Sequence, residues 1–288
     1  MTSAHCRLIA LSIAIVATFQ SEPIPAQDSQ GKLTFLFAST ADVKLPDDSK
    51  LSTETTLRYT FQKQDTDVSV LCDAIELKIK IKDEETQHTK LSSELIYNKE
   101  KGKAATEIKY ADADPKLKQT LESFGSPLCK LELDQTGKEV KRTILAGPAG
   151  RAVFVNQGML TNMRFFHVPF PAKDDSWVVS NEITVGQAGQ TAKGALRYEK
   201  KDSKNSNPKL ITVRVSGTLK ADNIGGAAAP LSSRVTYIVS GEQTYSLQQK
   251  EWVAGNLLFD VTIDYLRKEE KVATSKGAIK LSLTLLAP

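Results

Sequence analysis

Leu51-Ser52-Thr53-Glu54-Thr55-Thr56-Leu57-Arg58-Tyr59-Thr60-Phe61 alternates side chains that suit a core with side chains that suit water. Val68-Val70-Cys72 followed by Ile75-Leu77-Ile79-Ile81 does the same. A period of two over six or more residues marks a strand with one face buried and one face wet. Between the two parts of the second run the alternation slips by one residue at Asp73-Ala74, which predicts a β-bulge. Lys32 to Phe37, Leu91 to Asn98, Ala105 to Tyr110, Leu128 to Leu133, Lys138 to Ile144 and Trp177 to Val185 follow the same rule. So do Ala192 to Glu199, Leu210 to Lys220, Arg234 to Val239, Thr244 to Gln249, Leu257 to Leu266 and Ala278 to Leu285. Few of these runs are apolar on both sides. The expected fold is therefore mainly β, with antiparallel curved sheets in two similar halves. Asp134-Gln135-Thr136-Gly137 and Glu251 to Gly255 read as the turns of two hairpins.

Two helical segments interrupt the strands. In Asp114 to Gly125 an Asp cap precedes a first-turn Pro115. Leu117, Leu121 and Phe124 share a face, and Gly125 stops the helix. A longer helix is expected from Pro148 to about Phe166, ending at His167-Val168-Pro169-Phe170-Pro171, where proline forbids its continuation. The organisation that follows is a signal peptide over 1–26, a β-rich half over 27–146, a helix and Pro-rich connector over 147–174, and a second β-rich half over 175–288. Leu57-Arg58-Tyr59 and Leu196-Arg197-Tyr198 each open a hairpin, which fits either a diverged duplication or two ordinary hairpins.

The leader has Arg7 ahead of an apolar run from Leu8 to Phe19 and a small residue, Ala26, at its exit, with Ile24 less suited to its place before the cut. The run falls short of the roughly 20 residues that a bilayer span needs. Export to the periplasm or beyond is expected, with no transmembrane segment in the mature chain. Cys6 leaves with the leader. Cys72 and Cys129 then remain in an oxidising compartment, either as a disulfide or as two buried thiols.

Of 288 residues, 38 are Lys or Arg and 34 are Asp or Glu, 40% are apolar, and the net charge is +4. Scarce Gly, Pro and Cys exclude collagen, low-complexity disorder and a disulfide miniprotein. The small net charge argues against a nucleic-acid partner. HExxH, CxxC, Walker and GxSxG motifs are all missing, and no cofactor motif is present. Gly147-Pro148-Ala149-Gly150 lacks the Lys-Ser/Thr of a phosphate loop, and Gly186-Gln187-Ala188-Gly189 leads into a strand rather than a helix. The mature chain keeps only His88 and His167, read as a solvated turn residue and a packed loop residue. Asp47-Asp48, Glu84-Glu85 and Asp174-Asp175 lack the spacing of a calcium loop and read as solvated. Neither a catalytic residue nor a metal ligand is assigned. Lys78-Ile79-Lys80-Ile81-Lys82 gives a strand one basic face, suited to anionic lipid or polysaccharide, or to an ordinary wet face.

Met159, Met163, Phe165, Phe166, Phe170 and Trp177 form the one apolar cluster outside the strand pattern. They are the candidates for an apolar-ligand site, and equally for a core between the two halves.

The leader, the two Leu-Arg-Tyr hairpins, Phe170-Pro171 leading into Asp175-Ser176-Trp177, the run Leu133 to Val140, and Gly241-Glu242 together resemble a class of uncharacterised secreted β-rich proteins common in planctomycete-like bacteria. Asp174 stands where that class often has Gly before Asp-Ser-Trp. The class implies no activity. A looser resemblance is to periplasmic lipoprotein carriers, whose curved sheets hold acyl chains on an apolar concave face under helices.

The leading expectation is an exported non-enzymatic protein of the bacterial envelope that binds an envelope component or another protein through its sheet. A carrier of lipid or another apolar ligand would instead need a dry cavity of a few hundred Å³. An unrecognised envelope hydrolase would need a cleft with clustered carboxylates.

Overall fold

The computed structural model describes residues 31–64, 67–133, 139–145, 165–166, 168, 170–171, 173–185, 190–201, 209–224 and 232–286. Its strands are β1 (Gly31–Lys44), β2 (Lys50–Gln64), β3 (Asp67–Ile81), β4 (Glu84–Ser92), β5 (Leu95–Glu100), β6 (Thr106–Lys109), β7 (Pro127–Leu133) and β8 (Glu139–Ile144). They continue with β9 (Ser176–Val185), β10 (Gln190–Lys200), β11 (Leu210–Ile224), β12 (Ser232–Ser246), β13 (Glu251–Arg267) and β14 (Glu270–Leu285). One antiparallel sheet takes in both halves of the chain, in the order β6-β5-β4-β3-β2-β1-β14-β13-β12-β11-β10-β9. The seam is the β1–β14 pair, where Phe37 lies opposite Leu283 and Ala41 opposite Ile279.

The expected bulge is present. Arg58 pairs with Ala74 and Tyr59 with Cys72, so Asp73 is the extra residue. Its carboxylate accepts a hydrogen bond from the Thr60 hydroxyl at 2.9 Å. A bulge bends its strand, and β3 forks at this point. Ala74–Ile81 pair with β4, while Asp67–Leu71 pair with β7, which pairs in turn with β8. Helix α1 (Pro115–Leu121) caps the fork. Asp114 accepts from the Leu117 amide at 2.9 Å, Leu121 and Phe124 are buried, and Gly125, at φ 73°, donates its amide to the Cys72 carbonyl at 2.7 Å. A left-handed φ of this kind is what glycine supplies without cost.

Inward positions along the strands are apolar and form one continuous core from Val68 on β3 to Ile183 on β9. Twelve strands about 4.8 Å apart would spread over roughly 53 Å if flat, too wide for the chain outside the sheet to cover. The sheet instead curls around its own inner face, and the Glu251 carboxylate on β13 acts on the Tyr59 phenol on β2. The two Leu-Arg-Tyr segments sit alike. In each the Leu and Tyr point inward, and the Tyr stacks on the aromatic opposite it, Phe35–Tyr59 at 5.2 Å and Trp177–Tyr198 at 5.3 Å.

Three expectations need correction. Arg234 to Val239 and Thr244 to Gln249 are not two strands: both fall on β12, which ends at Ser246 and leaves Leu247–Gln249 in the turn. Leu91 to Asn98 is not one strand: a tight turn at Ser93-Glu94, with the Glu94 amide donating to the Ser92 hydroxyl, separates β4 from β5. Glu251 to Gly255 is strand rather than turn, and the β12–β13 turn is Leu247–Lys250. The Asp134–Gly137 turn, the leader and most of the longer helix lie outside the described residues, although the strands flanking that turn do pair. Phe165 and Phe166, at the expected end of the longer helix, are in a turn. No helix among the described residues is long and apolar enough to cross a membrane.

Candidate functional site on the outer face of the sheet

Of the six apolar-ligand candidates, Met159 and Met163 lie outside the described residues. The structure buries Phe165 and Phe166 in the core and packs Phe170 and Trp177, which touch each other and are half-buried, against it. Phe165 packs edge-on against Phe259 at 5.1 Å, and Phe166 packs against Phe37 at 6.2 Å; both rings are fully buried. Phe170 stacks on Tyr245 at 4.0 Å and meets Trp177 and Trp252 edge-on. Two side chains of the sheet hold this segment by its backbone. The Gln243 amide donates to the Phe165 carbonyl, and the Trp252 indole donates to the Val168 carbonyl at 2.7 Å. Such bonds satisfy carbonyls that burial would otherwise leave at a cost of about 1–3 kcal/mol each.

Cys72 and Cys129 sit on neighbouring strands, as their strand context suggests, but no disulfide joins them. Both are buried thiols, and burial pushes the Cys72 thiol well above its ordinary range. The reason lies in the register: Cys129 is opposite Val70, while Cys72 is opposite Tyr59 on the other neighbour.

His88 is not the solvated turn residue expected: it lies on β4 with its ring largely buried. Its Nε2 is 2.7 Å from Glu76, and its ring meets Tyr97 edge-on. Burial raises the Glu76 carboxyl, but the His88 hydrogen bond and the charges of Lys78 and Lys90 outweigh it and leave the group below its ordinary value. His167 lies outside the described residues. Among the charged residues of the Lys78–Lys82 run, Lys78 pairs with Glu76 and Lys80 with Glu54, while Ile79 is buried. The adjacent acids are tied locally: Asp48 to Lys44, and Glu84 to Lys101. Among the described residues no three His, Cys, Asp or Glu groups are placed to hold a metal ion.

A concavity among the described residues lies on the other side of the sheet. A depression of about 410 Å³ opens where β1, β14, β13 and β12 lie side by side. Its outward lining is Ala38, Thr40, Ser240, Asn256, Leu258 and Lys280, joined by Ser282. Small side chains on four adjacent strands leave the space. The hydroxyls and amide offer donors and acceptors, Leu258 an apolar floor, and Lys280 a charge. Asp42 stands two residues beyond Thr40 on the same face. The Ser52 hydroxyl, with Lys50 beside it, holds the Asp42 carboxyl below its ordinary range despite partial burial. It is a fixed anion, not a proton donor near neutral pH. Sequence reading missed this site because its residues come from four strands at opposite ends of the chain, and only the β1–β14 seam brings them together.

No family model matches the chain, and no curated protein matches it. Among solved structures, one titled "Lipid-protein interactions in lipovitellin" aligns with 91% of this chain and 26% of its own, at 8% identity and a TM-score of 0.48. This chain thus spans about a quarter of that protein's length.

Proposed function

We propose that the protein is an exported, non-enzymatic binding protein of the bacterial envelope that meets an envelope component on the outer face of its sheet. The observation behind this reading is the division of labour between the two faces. The inner face is occupied by the protein's own aromatic side chains, Phe165, Phe166 and Phe170 among them. The outer face has a depression whose lining is mainly apolar, with hydroxyl, amide and ammonium groups of Thr40, Ser240, Asn256 and Lys280 among it. That lining suits a polyhydroxylated ligand that lays the apolar face of its rings on the depression and hydrogen-bonds to the few polar groups beside it.

The test is co-sedimentation of the purified protein with the insoluble envelope fraction of its host. Asn256→Trp, at an exposed position, fills the depression without touching the core. Wild type is expected to sediment and the variant to stay in solution with an unchanged unfolding temperature. Equal sedimentation of both would contradict the outer-face reading.

A further inference from the structure

One cross-strand row on the outer face reads, from β2 to β9, Lys50, Lys44, Lys276, Thr262, Thr236, Lys220, Lys193 and Glu182. All five lysines are exposed. Lys50 is directly opposite Lys44, Lys44 opposite Lys276, and Lys220 opposite Lys193. Like charges in directly opposed positions destabilise a sheet. Lysines that protect a sheet edge would offset that cost, but every strand bearing these five has neighbours on both sides. Lys50 is 3.2 Å from Asp42, Lys44 2.7 Å from Asp48, and Lys193 3.1 Å from Glu182. Lys276 and Lys220 have no ion-pair partner among the described residues. The row is separate from the depression: Lys276 and Lys280 share a face of β14, but the outward row between them, Asp42, Ala278 and Asp260, carries two carboxylates.

We infer that this row is the track of a linear polyanion, an acidic polysaccharide. The inference rests on the outer-face reading and names its ligand class. Shape selects the ligand. The row crosses the strands in the direction in which the sheet curls, so its five ammonium groups arch over a convex surface roughly 29 Å along. A flat bilayer touches such an arch only at its crest, and duplex DNA, with a persistence length of about 50 nm, does no better. A flexible chain with regularly repeated anions follows the arch. Single-stranded nucleic acid would call for aromatic platforms, and no residue of the row is aromatic.

The probe is polygalacturonate, a linear carboxylated polysaccharide, with neutral dextran, phosphatidylglycerol vesicles and single-stranded DNA as the other arms. The variant is Lys276→Gln with Lys220→Gln, which relieves the opposed charges and leaves every observed ion pair in place. Wild type is expected to bind polygalacturonate but not dextran. In the double variant affinity falls at least about tenfold at low salt, and the slope of log K against log salt shrinks by about 1.4, at roughly 0.7 for each ammonium group removed. Its unfolding temperature stays the same or rises, an outcome that loss of a merely structural pair would not give. Failure of wild type to bind polygalacturonate, equal binding by the double variant, or stronger binding to vesicles or DNA would overturn the track. If the double variant sediments with envelope material as wild type does while Asn256→Trp does not, the track fails and the outer-face reading stands. If wild type binds polygalacturonate but no envelope material, the envelope reading fails and the track stands.

Discussion

Phe166 lies so close to Gly255 that a Cβ at position 255 would stand 2.5 Å from its ring. The glycine is inward on β13, and the ring over it is fully buried against Phe37. Neither neighbour can yield, so Gly255→Ala is expected to destabilise the protein by about 1–3 kcal/mol, the usual cost of overpacking. Urea unfolding measures it. Pairing the change with Phe166→Leu should recover part of the loss, and an unaltered midpoint in Gly255→Ala would show that the ring does not sit there.

Burial fixes the behaviour of the cysteines as well. With its thiol held protonated above the ordinary range, Cys72 should resist a thiol reagent at pH 8 in the native protein and react fully in denaturant. Peptide mapping should show the same for Cys129, which is equally buried. Recovery of the two as a disulfide from the protein isolated from its host would contradict the structure.

Tyr59 and Tyr237 both have phenols raised by burial, Tyr59 also by the charge of Glu251. A group whose folded value is raised above its unfolded one adds stability that is complete below the unfolded value, near 10, and lost as pH rises beyond it. Phenolate absorbance from these two should therefore appear only together with the loss of strand circular dichroism. Phenolate signal at high pH from a protein that keeps its strand spectrum, mapped to Tyr59 or Tyr237, would count against the closed inner face.

Glu76 has the opposite sign. Its lowered carboxyl adds stability that is present above the unfolded value and lost as pH falls through the folded one. Glu76→Gln should cost about 0.5–1 kcal/mol at pH 7, as expected for a partly exposed pair. The gap to wild type should close in acid, and a gap independent of pH would exclude the charge as its cause.

Alternation located most of the strands but not all of their ends, and one slip in it located the bulge at Asp73. Asp114, Pro115 and Gly125 marked the ends of α1 because capping is local chemistry. The Glu251–Gly255 turn was misread for a physical reason. Val253 is itself a bulge residue, since Tyr245 pairs with Trp252 and Thr244 with Ala254. The parity therefore breaks there and Trp252 and Gly255 both face inward, which makes a strand look like a turn. The Ser93-Glu94 turn was invisible because two residues suffice for it. The outer site was illegible for another reason. Lys44 becomes a neighbour of Lys276, and Lys220 falls into the same row, only through strand order and register, and alternation leaves both open.

The most direct test of the account is lysine acylation, read residue by residue by mass spectrometry, with and without host envelope material. The account predicts protection of Lys280, Lys276, Lys44 and Lys220, with Lys116 and Lys118 on α1 reacting as before. Unchanged reactivity across the outer face, or protection confined to α1, would contradict it.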